Sequence, residues 1–342
     1  MKNLLLLSLL LFAVPLAAQV DQQDIDNALA LYRTQPKRSF ELFKQMAEQG
    51  NGAAQSQLGT MYIYGMGTDK NVAEGLRWLK QSAQNKFSSA YYNLGVIYQS
   101  GIGVPVDMAQ AVRWYESGVA ADNADAMYNL ASMYMTGEGV KQDYNRALGL
   151  YRRAAALGTA HAAHNIGTMY LQGIGVTRDY QEAMRWFMRA AQKKFPESMF
   201  DIGFMYEHAL GVGKDMQKSY HYYQSAAEDG FPPAQTALGY LYFTGNGVAR
   251  DQKEGVKWTR LAAQHNDPQG QYNLGMMLER GQGTLQYEAL GYAWIYIASL
   301  HKHPGAVAEI KRLEKDKVLS PDTIQEGRQH ARELIEKYQF KF

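Results

Sequence analysis

The chain has 342 residues, 46% of them apolar and 20% charged, with a formal net charge of +2 at pH 7. That near-neutral balance gives no electrostatic case for nucleic acid or an anionic membrane surface as partner. The lack of any Cys excludes disulfides, thiol catalysis and Cys-based metal sites, so stability has to come from packing.

The N-terminal stretch MKNLLLLSLLLFAVPLAA sets one Lys ahead of a Leu-rich run and ends on small Ala, the layout of a secretory signal peptide cleaved after Ala18. Residues 1–18 are therefore set apart from the fold. Their apolar run is short for a membrane span, and no stable membrane insertion is expected once they are removed. An exported chain follows, with the periplasm of a Gram-negative bacterium as its expected place.

Residues 19–50 read as a degenerate opening repeat, since Leu42 lies 36 before Trp78 and Ala47 lies 36 before Ala83. From 51 to 302 the dipeptide Leu58-Gly59 returns as Leu94-Gly95, Leu130-Ala131, Ile166-Gly167, Ile202-Gly203, Leu238-Gly239 and Leu274-Gly275, at a constant step of 36 residues. Three residues after each Gly slot comes Tyr62, Tyr98, Tyr134, Tyr170, Tyr206, Tyr242 or Leu278. Seven in-register copies predict an all-α solenoid of helix-turn-helix repeats.

Within a copy, Ala54, Leu58, Met61 and Tyr62 share one face of a first helix. Gly59 and its equivalents lack a side chain where two helices must come close. A Gly-x-Gly-Val turn follows, and capping pairs such as Asn71 with Glu74, Asp179 with Glu182 and Asp251 with Glu254 open the second helix. On that helix Trp78, Trp114, Trp186, Trp258 and Trp294 occupy one slot and are expected to anchor the core. Two copies depart from the pattern. Ala209 replaces the first turn Gly, and Thr284, Gln286 and Tyr287 alter the last turn, so both turns are expected to be irregular.

Pro304 and Ser320-Pro321 open two charged segments, and residues 303–342 read as capping helices with a tail, KYQFKF. Tyr338, Phe340 and Phe342 alternate there as in the C-terminal signal of outer-membrane barrels, which is read by strand addition. Packing of the same residues onto the cap is the competing reading.

The pattern spelled by Ala90, Leu94, Gly95, Tyr98, Gly101, Gly103, Val104, Asp107, Ala111 and Trp114 resembles the Sel-one-like repeat (SLR) family, relatives of the tetratricopeptide repeats. The resemblance spans roughly residues 24 to 300. It implies a right-handed α/α solenoid whose first helices line a concave groove. The family's cysteine-rich branch, associated with penicillin-type compounds, staples each repeat with a disulfide; this chain has no Cys, and that activity is not carried over.

No Gly-x-Ser-x-Gly elbow, Ser-x-x-Lys element or phosphate loop is present, and His161 with His164 lack a third metal ligand nearby. The reading is a non-enzymatic scaffold without cofactor or metal, its partners being proteins or peptides. The slot before Leu-Gly holds Asn93, Asn129, Asn165, Asp201 and Asn273, a polar ladder on the face that the core does not use. Tyr92, Tyr128 and His164 precede it, and Tyr240 lies one turn further on. A side-chain amide offers a donor and an acceptor side by side, which suits an extended peptide of any sequence. The alternative for the ladder is bonding to backbone carbonyls of the neighbouring repeat. For the chain, the alternatives are an assembly or regulatory factor of an envelope complex, or a penicillin-binding enzyme, which the missing nucleophile argues against.

Overall fold

Each 36-residue period becomes two short helices, because a capping residue starts the second and a left-handed residue ends the first. A computed structural model describes residues 22–316 and 318–342; the signal peptide assigned to residues 1–18 lies outside the described residues. Two compact units are present, divided between Ala154 and Ala155. The first contains α1 (Gln22–Leu31), α2 (Pro36–Glu48), α3 (Gly52–Tyr64), α4 (Val72–Gln84), α5 (Ser88–Ser100), α6 (Met108–Ala120), α7 (Ala124–Thr136) and all but the last two residues of α8 (Tyr144–Ala156). The second contains α9 (Ala160–Gln172), α10 (Tyr180–Ala191), α11 (Pro196–Glu207), α12 (Met216–Glu228), α13 (Pro232–Thr244), α14 (Gln252–Gln264), α15 (Pro268–Arg280) and α16 (Glu288–Leu300), followed by α17 (Pro304–Lys315) and α18 (Pro321–Tyr338). Among the described residues there is no strand.

The helix starts follow the capping residues. Asn71, Asp107, Asp179, Asp215 and Asp251 each accept the N–H three residues on. The reciprocal half of the expected capping boxes is not made: the N–H groups of Asn71, Asp179 and Asp251 donate to Tyr62, Tyr170 and Tyr242 O, and Glu74, Glu182 and Glu254 pair instead with Arg77, Arg185 and Lys257.

The helix ends hold two corrections. Gly101 closes α5 at φ 67°, a conformation that costs Gly little. Ala209 takes the same role at φ 56°, and Gly211 follows at φ 69°, so the fifth turn is retained rather than rearranged. The last turn is regular too: Tyr287 N–H donates to Leu278 O at 2.9 Å, just as Asp251 N–H donates to Tyr242 O at 2.9 Å.

The core holds a further correction. Trp78 and Trp294 are buried, whereas Trp114, Trp186 and Trp258 are only half-buried. The anchor is the next residue along: Leu79, Tyr115, Tyr151, Phe187, Tyr223, Thr259 and Ile295 are all 2% or less exposed, and Phe43 of α2 holds the same slot. Neighbouring slots recur with the same period, so recurrence does not tell which of two residues about 100° apart on the helix faces inward. Three of the Trp rings carry cations, with Arg77 4.3 Å from the Trp78 ring centre, Arg189 5.4 Å from that of Trp186 and Lys257 6.0 Å from that of Trp258.

These anchors press on the Gly slot of the first helix. A Cβ placed on Gly95 would lie 2.4 Å from the Tyr115 ring, one on Gly167 2.6 Å from the Phe187 ring, and one on Gly203 2.7 Å from the Tyr223 ring. Where the anchor is Leu79, Thr259 or Ile295, a second glycine stands four residues before it, at Gly75, Gly255 or Gly291. There the two backbones themselves meet, and a Cβ on Gly59 would lie 2.8 Å from Gly75 O. Where the anchor is aromatic, Ala111, Ala147, Ala183 or Ser219 fills that position instead.

First helices also meet first helices, α3 with α5, α5 with α7 and α13 with α15. At the C-terminal end α17 and α18 both pack on α16. The Trp294 ring lies 6.4 Å from Tyr338 and 6.1 Å from Phe340, and Asn266 donates to Lys341 O at 3.1 Å. All three tail aromatics thus pack at this end, Phe342 with its ring 4.8 Å from that of His301 although it stays largely exposed.

Two outcomes follow for thermal or chemical unfolding. Tyr115→Ala should cost about 3–5 kcal/mol and clearly more than Trp114→Ala, the reverse of what residue size suggests. Ala209→Gly should stabilise the chain by about 1 kcal/mol by relieving a left-handed alanine.

Candidate functional site

The polar ladder lies on the first helices, where the core residues Leu58, Leu94, Leu130 and their equivalents leave one flank free. In the first unit its members are tied to hydroxyls. Asn93 Nδ2 donates to Ser56 Oγ of the preceding repeat at 3.2 Å. Asn129 Nδ2 donates to Tyr115 OH at 3.0 Å, and that hydroxyl donates to Gln99 Oε1 at 2.7 Å. Burial pushes the Tyr115 phenol up to about 12, against the Asn129 hydrogen bond. Tyr92 packs on Tyr115 and Tyr128 on Tyr151, with ring centres 6.4 and 5.6 Å apart. The amides of Asn93 and Asn129 therefore reach neighbouring side chains rather than backbone carbonyls.

In the second unit Asn165 is half-buried, and Asp201 joins a different arrangement. His164 Nδ1 lies 3.0 Å from Ser198 Oγ and 3.5 Å from Asp201 Oδ2, with its ring against Phe187 and Phe195. Both oxygens engage one ring nitrogen and Ser198 is fully buried, which is not the geometry of a nucleophile relay, where the two partners use opposite nitrogens. Burial, with the charge of Glu197 adding to it, raises the Asp201 carboxyl to about 7. Burial lowers the imidazole of His164, assisted by His161 and opposed by Glu197. Burial thus disfavours the charged form of both groups, and their contacts link α9 to α11.

Tyr240 and Asn273 are brought together at a cavity of about 610 Å³, which is also lined by Phe200, Glu207, His208 and Asp267. Asn273 Oδ1 accepts from Gln269 Nε2 at 2.8 Å. Tyr240 is 51% exposed and Phe204, its equivalent in the preceding copy, 37%. The sequence reading missed Glu207 and Asp267. The available signal was the slot itself, where Thr60, Ser132 and Thr168 of other copies give way to Phe204 and Tyr240.

Paired helices repeating at a constant period, capped at the C-terminal end and locked by a Gly contact, define an α/α repeat solenoid. The Sel1 repeat model matches residues 32–51, 52–87, 88–123, 124–159, 160–195, 196–231, 232–267 and 268–303, and the chain belongs to the Sel1 repeat family. It is similar to a Sel1 repeat protein from Oxalobacter formigenes, with 27% identity and a TM-score of 0.67 over 86% of this chain and 88% of that one. It also resembles in fold c5321, a protective antigen of uropathogenic Escherichia coli strains, with 22% identity and a TM-score of 0.51 over 93% of this chain and 76% of that one. No curated relative matches by sequence.

The Asp201 environment has a stability signature. A carboxyl raised in the folded chain favours its protonated form, so its contribution is complete at about pH 4 and is lost as pH rises to about 7. Asp201→Asn should match the parent in melting temperature near pH 4 and exceed it by several degrees at pH 8. Equal melting temperatures at both values would contradict this.

Proposed function

We propose that this chain is an exported, non-enzymatic scaffold of the bacterial periplasm that holds partner proteins or peptides on the first-helix face of its repeats. Sel1 repeat proteins are generally protein-interaction scaffolds. The observation that carries the reading to this surface is the exposure of Phe204 and Tyr240 beside a cavity on first helices. Large aromatic side chains exposed at a concave site are what interfaces enrich. Around them Asn273 and Gln269 supply amide groups, and the amides of Asn93 and Asn129 extend the same surface chemistry in the first unit. The Lys-then-Leu-rich start supports export, and among the described residues no helix is long and apolar enough to cross a membrane.

A photo-reactive amino acid at Tyr240, compared with one at Lys257 on α14, tests the surface directly in intact cells. A discrete protein adduct from position 240 and none from 257, with the chain recovered in the periplasmic fraction, is the expected outcome. Adducts of equal yield from both positions would overturn the assignment.

A further inference from the structure

The first helices of the second unit, α9, α11, α13 and α15, carry four acids and one base. Neither α9 nor α13 carries an acidic or basic side chain apart from the histidines of α9. Helix α11 carries Glu197, Asp201 and Glu207 and no base. Helix α15 carries Glu279 and Arg280, which pair at 3.4 Å. The second helices mix both signs, with Glu182, Arg185 and Arg189 on α10, Lys218 and Glu228 on α12, Lys253, Glu254, Lys257 and Arg260 on α14, and Glu288 on α16. The acid excess of these first helices comes from α11, in a chain whose formal charge is only +2.

The cavity concentrates that charge. Tyr223 OH donates to Glu207 Oε2 at 2.8 Å, which fixes the carboxylate at the wall. Thr236 Oγ1 and Gly270 N–H donate to Asp267 Oδ2 at 2.6 and 2.7 Å and fix the second carboxylate. Among the described residues no Lys or Arg lines the cavity. Phe200 and Tyr240 supply ring faces of the kind on which a guanidinium or ammonium group stacks. An apolar side chain seated there would desolvate two carboxylates with nothing in return, which is unfavourable. A cation satisfies them and uses the rings.

We infer that this cavity receives a Lys or Arg side chain presented by an extended segment of a partner protein. This rests on the first-helix face being the partner surface and names the chemistry that the face selects. A volume of about 610 Å³ lies within the range of ordinary ligand pockets and accommodates the basic side chain together with its flanking backbone. Gln269 and Asn273 stand at the rim, where amides meet peptide groups.

The test is titration of the full-length secreted chain with acetyl-Gly-Gly-Arg-Gly-Gly-amide and with its norleucine and glutamate counterparts, followed by NMR shifts at positions 200, 240 and 273. The Arg peptide should bind at least tenfold more tightly than either counterpart and weaken with added salt. Glu207→Gln, which still accepts from Tyr223, should lose about tenfold with an unchanged melting temperature. Lys257→Ala, on the opposite helix class, should bind as the parent does. Equal binding of the norleucine peptide, no effect of Glu207→Gln, or no binding by any of the three peptides would overturn the inference. A partner still crosslinked at position 240 would then leave the scaffold reading intact. Arg-peptide binding without any such adduct would remove the scaffold reading and keep the pocket.

Discussion

The fold depends on one contact repeated along the chain: the Gly slot of each first helix against the buried residue one place after the Trp slot on the second. With almost no clearance between Gly95 and Tyr115, or between Gly167 and Phe187, a methyl group in the Gly slot would force the helices apart. Gly in a helix interior costs about 1 kcal/mol relative to Ala, and burial of a whole side chain outweighs that cost. The third copy shows the tolerance of the rule, with Ala131 in the Gly slot facing Tyr151.

The contact comes in two forms, and the difference reaches the surface. In the copies with Leu79, Thr259 and Ile295 a second glycine lets backbone meet backbone, and the anchor ends inside the helix pair. In those with Tyr115, Tyr151 and Tyr223 the ring crosses the pair, and its hydroxyl emerges among first-helix polar groups, meeting Asn129, Ser132 and Glu207 respectively. The choice of core residue thereby sets the polar chemistry of the first-helix face. Glu207 is held at its cavity by a residue whose ring is a core anchor, so core packing positions the carboxylate of the proposed site.

The repeat, its helices, its caps and the C-terminal pair of helices were legible in the sequence because spacing determines them: a 36-residue period, capping residues and left-handed turn positions are local signals. The inward-facing slot was not, since Trp114 and Tyr115 recur equally and only packing distinguishes them. The turn at Ala209 was misjudged because the surrounding repeat imposes the left-handed backbone that the residue itself disfavours. Of the ladder, the residues and their face could be read, whereas the hydroxyl partners of Asn93 and Asn129 lie 37 and 14 residues away and follow from no local pattern. The cavity carboxylates Glu207 and Asp267 sit at a helix end and a helix cap, positions that a slot-by-slot comparison treats as punctuation.

The central claim is that recognition belongs to the first helices and the second helices are structural. Hydrogen exchange of the full chain, with and without the protein partner recovered from cells, measures this directly. The account predicts slowed exchange in α11, α13 and the start of α15, with α10, α12 and α14 unchanged. Protection confined to those second helices would contradict it.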